Sequence, residues 1–367
     1  MLFDSFERLL KDIKYVSQYK KIYIWGTGVY GDLLGKVLND NGILWYGYFD
    51  NFTSDTVEYV NGKKVFGGDE VGANSENIYV LSMRNYQPVK KQLENVGVKD
   101  SSIFAISKID VFNEIDNHAM EKQNIVEKMK KFHNINEGES CFIIGNGPSL
   151  KGEDLELLNK YHIKSFGCNS IYKAYDKIQW RPDYYVVVDI NGIEMVKDDL
   201  QYISDNCKYL FSRSNGRLRY CADKYKNIRL FKSVFSESEE QFSFSEDCAE
   251  QLYIGHTVTY AMLQLAVYMG FKKIYLLGID HQYATQVANG IEEHNQVPNY
   301  SSLLERNNEG VFYVIDKTTL AYRAARKYAD EHGIKIYNAT RGGKLEVFER
   351  VDFNSLFGDG YQLEEQS

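Results

Sequence analysis

Residues 141–158 read CFIIGNGPSLKGEDLELL, and the way this stretch folds decides the rest. CFII is a short apolar run of the kind a buried strand needs, and it stops at Gly145. LKGEDLELL places its leucines at helical spacing, so the predicted order is strand, tight turn, helix. In a parallel α/β sheet such a turn crosses the carboxyl edge, where ligands are held. The turn Gly145-Asn146-Gly147-Pro148-Ser149 is not GxGxxG, and it has no P-loop lysine. Asn146 offers an amide donor and an acceptor, Pro148 fixes the backbone, and Ser149 stands where it can cap the next helix. The combination reads as a mononucleotide cradle.

Downstream, IKSFGCN (163–169), DYYVVVD (183–189), KKIYLLGID (272–280) and IKIYNAT (334–340) read as strands. TVTYAMLQLAVYMG (257–270) and TTLAYRAARKYADEHG (318–333) read as helices. Asn169, Asp189 and Asp280 end three of the strands, and a doubly wound sheet would gather them along one edge with Asn146. Upstream, KIYIWG (21–26), NIYVLSM (77–83) and SSIFAI (101–106) alternate with helical patterns in the same way. The fold class is therefore α/β, with two Rossmann-like parallel-sheet domains in series. The expected division is an N-terminal domain over 1–110, a charged helical linker over 111–139 and a second domain over 140–367. A less regular stretch at about 191–250 reads as an inserted cap.

Gly26-Thr27-Gly28-Val29-Tyr30-Gly31 does fit GxGxxG, with Asp50 ending the next strand where a ribose-binding acid would stand. Glycines here also serve plain tight packing of strand against helix, and both readings stay open.

The 367 residues are 44% hydrophobic and 26% charged, which suits a two-domain globular protein. Apolar runs such as AMLQLAVYMGF (261–271) fall short of the roughly 18 residues of a membrane span. The amphipathic start MLFDSFERLLKDIKYV lacks a signal peptide's apolar centre. Five cysteines without a CxxC pair point to reduced thiols and a cytoplasmic location. A net charge of −8 argues against nucleic acid as the main partner. Peripheral contact with the inner membrane face and self-association stay open.

The segment LLGIDHQYATQVANGIEEHNQVPNY (276–300) reads as a loop after a strand and carries Asp280, His281, Tyr283, Glu293, His294 and Tyr300. A solvent-reachable imidazole can act as a base near neutral pH, and His281 and His294 compete for that role. Their spacing is unlike HExxH, which disfavours zinc. Arg213, Arg217 and Arg219 would suit a carboxylate or phosphate, or form a solvated basic face.

Five blocks occur in an order that carries a resemblance: IIGNGPSL (143–150), CNSIY (168–172), RPDYYVVVD (181–189), HTVTYAMLQLAVYMGFKKIYLLGIDHQY (256–283) and YNATRGGKLEVFERVDFNSLF (337–357). They resemble the MptE-like (DUF115) family, labelled after archaeal 6-hydroxymethylpterin pyrophosphokinases. They also resemble the related sialyltransferases of glycosyltransferase family 42 and the Maf flagellin glycosyltransferases. The resemblance implies a sialyltransferase-like (GT-A-like variant) second domain. It implies metal-independent, inverting transfer from a CMP-linked, sialic-acid-like donor to a glycan or protein acceptor, with no cofactor required. Gly145, Asn146, Gly147, Pro148, Ser149, Asn169 and Asp189 would hold the nucleotide, and Tyr283 its phosphate. Thr257 or Thr259 would replace the family's Ser-Gly pair, which aligns here with Val258-Thr259. His294, with Asp280, would be catalytic, and His256 also stands in the turn before the long helix. The pyrophosphokinase branch instead implies Mg²⁺ and ATP held by an acidic pair. Asn191 occupies the second acid's place after Asp189, which leaves Asp189 and Asp280 to lead that chemistry. A non-catalytic protein, either nucleotide-sugar-binding or scaffolding, is the third reading.

Overall fold

The computed structural model describes residues 2–3, 5–51, 59–60, 62–83, 85–106, 108, 111–112, 114–115, 124–188, 192, 195–196, 198–214, 218, 222–235, 242–305 and 313–357. The chain forms two compact units, 1–124 and 125–367.

In the first unit the elements run β1 (Leu2–Phe3), α1 (Phe6–Val16), β2 (Lys21–Trp25), α2 (Val29–Asp40), β3 (Gly47–Asp50), β4 (Tyr59–Val60), β5 (Lys63–Gly67), β6 (Asn77–Leu81), α3 (Gln87–Asn95) and β7 (Ile103–Ile106). The sheet order is β1-β7-β6-β2-β3-β5-β4, parallel except for the β4–β5 edge pair. Successive side chains of β2 point to opposite faces, so Ile22 and Ile24 join one core while Tyr23 and Trp25 pack into the other. Both faces are thus covered, as a parallel sheet requires.

The GTGVYG turn has a packing reason of its own. A Cβ on Gly31 would lie 1.8 Å from the carbonyl oxygen of Gly26, which itself has φ +100. The Asp50 carboxylate accepts from the Thr27 N–H at 2.7 Å and the Thr27 hydroxyl at 2.6 Å. The acid offered for a ribose therefore clamps its own turn.

The second unit runs α4 (Ile125–Lys130), β8 (Ser140–Ile144), α5 (Gly152–Lys160), β9 (Ser165–Cys168), β10 (Tyr184–Val187), α6 (Leu200–Asp205), β11 (Tyr209–Arg213), β12 (Ile228–Phe231), β13 (Ser233–Phe235), β14 (Leu252–Ile254), α7 (Val258–Tyr268), β15 (Lys273–Leu277), β16 (Thr285–Ala288), β17 (Ile291–His294), β18 (Tyr313–Val314), α8 (Ile315–Glu331), β19 (Lys335–Asn338) and β20 (Glu349–Arg350). Its main sheet has the order β12-β11-β10-β9-β8-β15-β19-β20 and is parallel throughout. The order reverses between β8, the first strand, and β15. That is the topological switch point of a doubly wound sheet, outside which ligands bind.

Three expectations change at this level. The stretch 191–250 is not merely a cap: β11 and β12 extend the main sheet in parallel pairing. Their short apolar runs, YLFSR and NIRLF, carry the strand signal. Of the linker 111–139, the described residues 111, 112, 114 and 115 are helical as expected, but Val111, Phe112 and Ile115 belong to the first unit's core, and a second short helix runs Ile125–Lys130. Residues 116–123 lie outside the described residues. Residues 285–294 form a hairpin rather than a loop. Asn289 and Gly290 both take positive φ, 52 and 74, in the two-residue turn between β16 and β17.

Helix α7 is buried along most of its length, Tyr260–Ala266 included. Its one interior amide, Gln264, receives the Ser245 and Tyr253 N–H groups and donates to the Tyr253 and Tyr260 carbonyls. Hydrogen bonds at both ends of a buried polar side chain offset the cost of its desolvation. The helix is thereby held with its N-terminus at the switch-point edge.

Candidate functional site

A cleft of about 630 Å³ lies at the carboxyl edge of the second unit's sheet. That volume falls within the range of small-molecule sites. Its walls come from the ends of β8, β9, β10, β11 and β15, from the N-terminus of α7, and from tyrosines around β18 and α8.

The GNGPS turn is bolted to the end of β15. Gly145 N–H donates to the Leu277 carbonyl at 2.8 Å, and Gly147 N–H to the Gly278 carbonyl at 3.0 Å. A Cβ on Gly145 would meet the Gly278 carbonyl oxygen at 2.2 Å, and one on Gly147 the Asp280 carboxylate at 2.0 Å. The two glycines are needed for this close approach before any ligand arrives. The Ser149 hydroxyl donates to Asp280 Oδ2 at 2.8 Å, with the Ser149 N–H at 3.4 Å. Ser149 therefore does not cap the helix, which starts only at Gly152 behind Lys151. Asp280 lines the cleft, but its carboxylate holds the turn, so it is a positioning residue. Burial raises its pKa, and the bonds from Ser149 pull the other way.

The two asparagines of the sequence reading do meet here. Asn146 Nδ2 donates to the Cys168 carbonyl at 3.1 Å, tying the end of β8 to the end of β9. Asn169 follows β9 in the left-handed region, φ 49, a conformation asparagine tolerates well. The side-chain oxygens Asn146 Oδ1 and Asn169 Oδ1 are buried and have no hydrogen-bond partner. Buried polar atoms are nearly always paired, so these two oxygens are left to accept from water or from a ligand in the cleft.

The N-terminus of α7 forms another wall. Thr257 is the N-cap and accepts from the Thr259 N–H at 3.3 Å; burial raises the nearby Tyr322 phenol's pKa, with both threonines pulling the other way. Helix N-termini carry partial positive charge and suit an anion. Residues 257–259 line the cleft, whereas lining by the GNGPS turn stops at Pro148, short of the helix that follows it. Arg213 also lines the cleft and donates to the Val188 carbonyl at 3.3 Å. Asp189, Arg217 and Arg219 lie outside the described residues.

Tyr283 lines the cleft as expected, stacked on Tyr313 at 3.6 Å and 10°. The Tyr313 hydroxyl pairs with that of Tyr300 at 3.1 Å. Burial raises the Tyr283 phenol, so it stays a neutral hydrogen-bond donor. Tyr313 and Tyr322 carried no functional signal in the sequence. Tyr322 sits among the apolar positions of an amphipathic helix and reads there as core.

The three histidines separate clearly. His294 lies on β17 with 73% of its side chain exposed, near Glu292 and the Thr285 hydroxyl, and it is not among the cleft-lining residues; Glu293 shares that exposed strand. The Asn289-Gly290 turn sets this placement, because it sends the strand back along the free side of β16. His256 does line the cleft, solvent-facing, just before the N-cap of α7 and at φ 59. Burial of part of its ring and the nearby Lys317 lower its pKa, which leaves it neutral at pH 7. His281 also lines the cleft but is only 7% exposed, and burial lowers its pKa to about 4.

The family model described as 6-hydroxymethylpterin diphosphokinase MptE-like matches residues 113–286, so the resemblance to that family holds over this span. Two solved structures are similar to the chain. One is the Maf glycosyltransferase from Magnetospirillum magneticum AMB-1, at 14% identity and a TM-score of 0.39, covering 97% of this chain and 63% of that one. The other is the sialyltransferase CstII from Campylobacter jejuni in complex with cytidine-5'-monophosphate, at 16% identity and a TM-score of 0.35, covering 59% of this chain and 86% of that one. The chain thus spans less than two thirds of the Maf protein's length. No curated protein matches it.

Proposed function

We propose that the second unit is a glycosyltransferase that takes a nucleotide-activated sugar, a CMP-linked nonulosonic (sialic-acid-like) donor, and builds a bacterial surface or flagellar glycan. The observation that carries this reading is the switch-point cleft. That cleft is lined both by Asn146 and Asn169, whose side-chain oxygens are unpartnered, and by a helix N-terminus, which suits a group rich in hydrogen-bond donors joined to an anionic one. A nucleoside monophosphate linked to a sugar has that polarity, and the asparagines are the positions where the family 42 pattern places its CMP contacts.

The phosphate then sits at the N-terminus of α7 beside Thr257, in the cleft that Tyr283, Tyr300 and Tyr313 also line. His256, neutral and reachable from solvent, takes the proton of the acceptor hydroxyl. That oxygen bonds to the anomeric carbon from the face opposite the phosphate, and the carbon–oxygen bond to CMP breaks with inversion. The charge on the departing monophosphate is stabilised by the helix N-terminus and the tyrosine hydroxyls. His256 replaces His294 as the proposed base because only the former lines the cleft.

The rival is ATP-dependent diphosphoryl transfer, favoured by the description of the matched family. It must contend with the engagement of Asp280 by Ser149. A thermal-shift panel of CMP, UDP, NAD and ATP, each with and without Mg²⁺, separates the readings. Stabilisation by CMP is expected. A response to ATP with Mg²⁺ alone would overturn the transferase, and silence to every nucleotide would leave a scaffold. Hydrolysis of a CMP-linked sugar should persist in EDTA; strict Mg²⁺ dependence would remove the metal-free mechanism.

A further inference from the structure

His281 is the cleft residue for which the mechanism above has no use, yet its placement is demanding. It sits at φ 53, where a non-glycine residue is strained, and its ring is buried beside Tyr322 at a centroid distance of 5.4 Å. Its Nε2 lies 2.8 Å from Thr319 Oγ1. The Thr319 hydroxyl is itself 2.8 Å from the Ile315 carbonyl, one turn back on α8. A hydroxyl has one proton, and a carbonyl can only accept. Both contacts are satisfied together only if Thr319 donates to Ile315 and accepts from His281. The proton of His281 is therefore on Nε2, and Nδ1 carries a bare lone pair. Nδ1 is buried and has no partner, in a residue that lines the cleft.

The geometry points to His281 as a specificity-determining acceptor, its tautomer set by Thr319, that selects a ligand presenting a hydroxyl or amino proton to Nδ1. The inference rests on the nucleotide-sugar reading and sharpens it. Nδ1 repels phosphate and carbonyl oxygens, so this part of the cleft holds a hydroxyl-bearing portion of the donor while the anion lies at α7. The hydroxyl comes either from the ribose or from the transferred sugar.

The test uses the full chain with CMP, 2′-deoxy-CMP, 3′-deoxy-CMP and a CMP-linked sialic acid as probes, measured by calorimetry. His281→Phe should weaken binding of the probe that carries the hydroxyl by roughly tenfold to a hundredfold, the cost of a lost hydrogen bond with a buried partner. It should leave the matching deoxy probe unchanged. If the loss is the same for CMP and its deoxy analogues but larger for the CMP-sugar, the transferred sugar is the source. His281→Asn tolerates the positive φ and keeps a polar atom near Nδ1, so it should recover much of the loss and guards against a folding artefact. Long-range ¹⁵N–¹H correlation at pH 7 should show the Nε2–H tautomer, shifted toward a mixture in Thr319→Val. A wild-type Nδ1–H tautomer, or equal loss for every probe, overturns the inference. If ATP binds and CMP does not, the functional reading fails by itself. The same substitutions are then read against ATP and its deoxy forms, where an unchanged affinity would also overturn the role of His281.

Discussion

Replacing Ser149 with alanine should loosen the GNGPS turn, and do so more at neutral than at acid pH. The hydroxyl donates to Asp280 Oδ2 at 2.8 Å, and the carboxylate is half-buried. A hydrogen bond to a charged group contributes about 1.5–3 kcal/mol, and partial exposure favours the lower part, about 1.5–2 kcal/mol. Burial raises the folded pKa of Asp280 above its ordinary 3.8, so the native state holds this proton more readily than the unfolded one. The carboxyl's contribution to stability is therefore fully present below the ordinary value and is lost as pH rises through the raised one. Ser149 offsets that loss by favouring the charged form, and its removal raises the folded pKa further. Above the window the full 1.5–2 kcal/mol disappears; at about pH 4 or below, with a neutral acid, the loss shrinks to about 0.5–1 kcal/mol. Hydrogen exchange of the Gly145 and Gly147 amides, bonded to Leu277 and Gly278, reports the opening of this turn. The variant should exchange roughly tenfold to thirtyfold faster than the parent at pH 7.5, and only roughly two- to fivefold faster near pH 4. Comparing the two proteins at one pH cancels the intrinsic chemistry. An equal ratio at both pH values, or none at pH 7.5, refutes the clamp.

His256→Gln should lower turnover by roughly 10²–10⁴-fold with donor affinity kept, while His294→Ala leaves both unchanged. In the parent the rate should rise with pH through a value below the ordinary imidazole 6.5, since the ring's pKa is lowered. Thr27→Val removes the hydroxyl bond to Asp50 and should cost the first unit about 1–2 kcal/mol, read as a lower Tm, with nucleotide binding unaltered. Arg341→Ala strips the buried Asp154 of its bidentate partner, at 2.5 and 2.8 Å, and should cost about 3 kcal/mol in urea unfolding.

Much of the architecture was legible because parallel strands buried on both faces read as unbroken apolar runs. CFII, SFGC, YYVV and KIYLL all became strands of one sheet, and the edge shared by Asn146, Asn169 and Asp280 followed from that. What escaped depended on partners far apart in the chain. Nothing near Ser149 announces that its hydroxyl will be taken by a carboxylate 131 residues later, so the local capping role looked sufficient. The anion-suited wall at α7 was obscured in the same way, since a nearly all-apolar helix advertises burial and not which end meets the ligand. The exposure of His294 is different: Asn289-Gly290 between TQVA and IEEH is a strong hairpin signal that charged, loop-like neighbours masked.

The reversal of strand order between β8 and β15 also has a consequence in time. Every other neighbour pair from β8 to β12 can form as the chain lengthens, whereas the β8–β15 pair closes a span of more than a hundred residues. Such closure is entropically late and slow. A nascent chain that has emerged only as far as residue 270 holds the whole GNGPS turn, yet it lacks the wall against which Gly147 and Ser149 are set. The proposed nucleotide binding should therefore switch on only after β15 has docked, which makes ligand affinity a clock for a late step of folding.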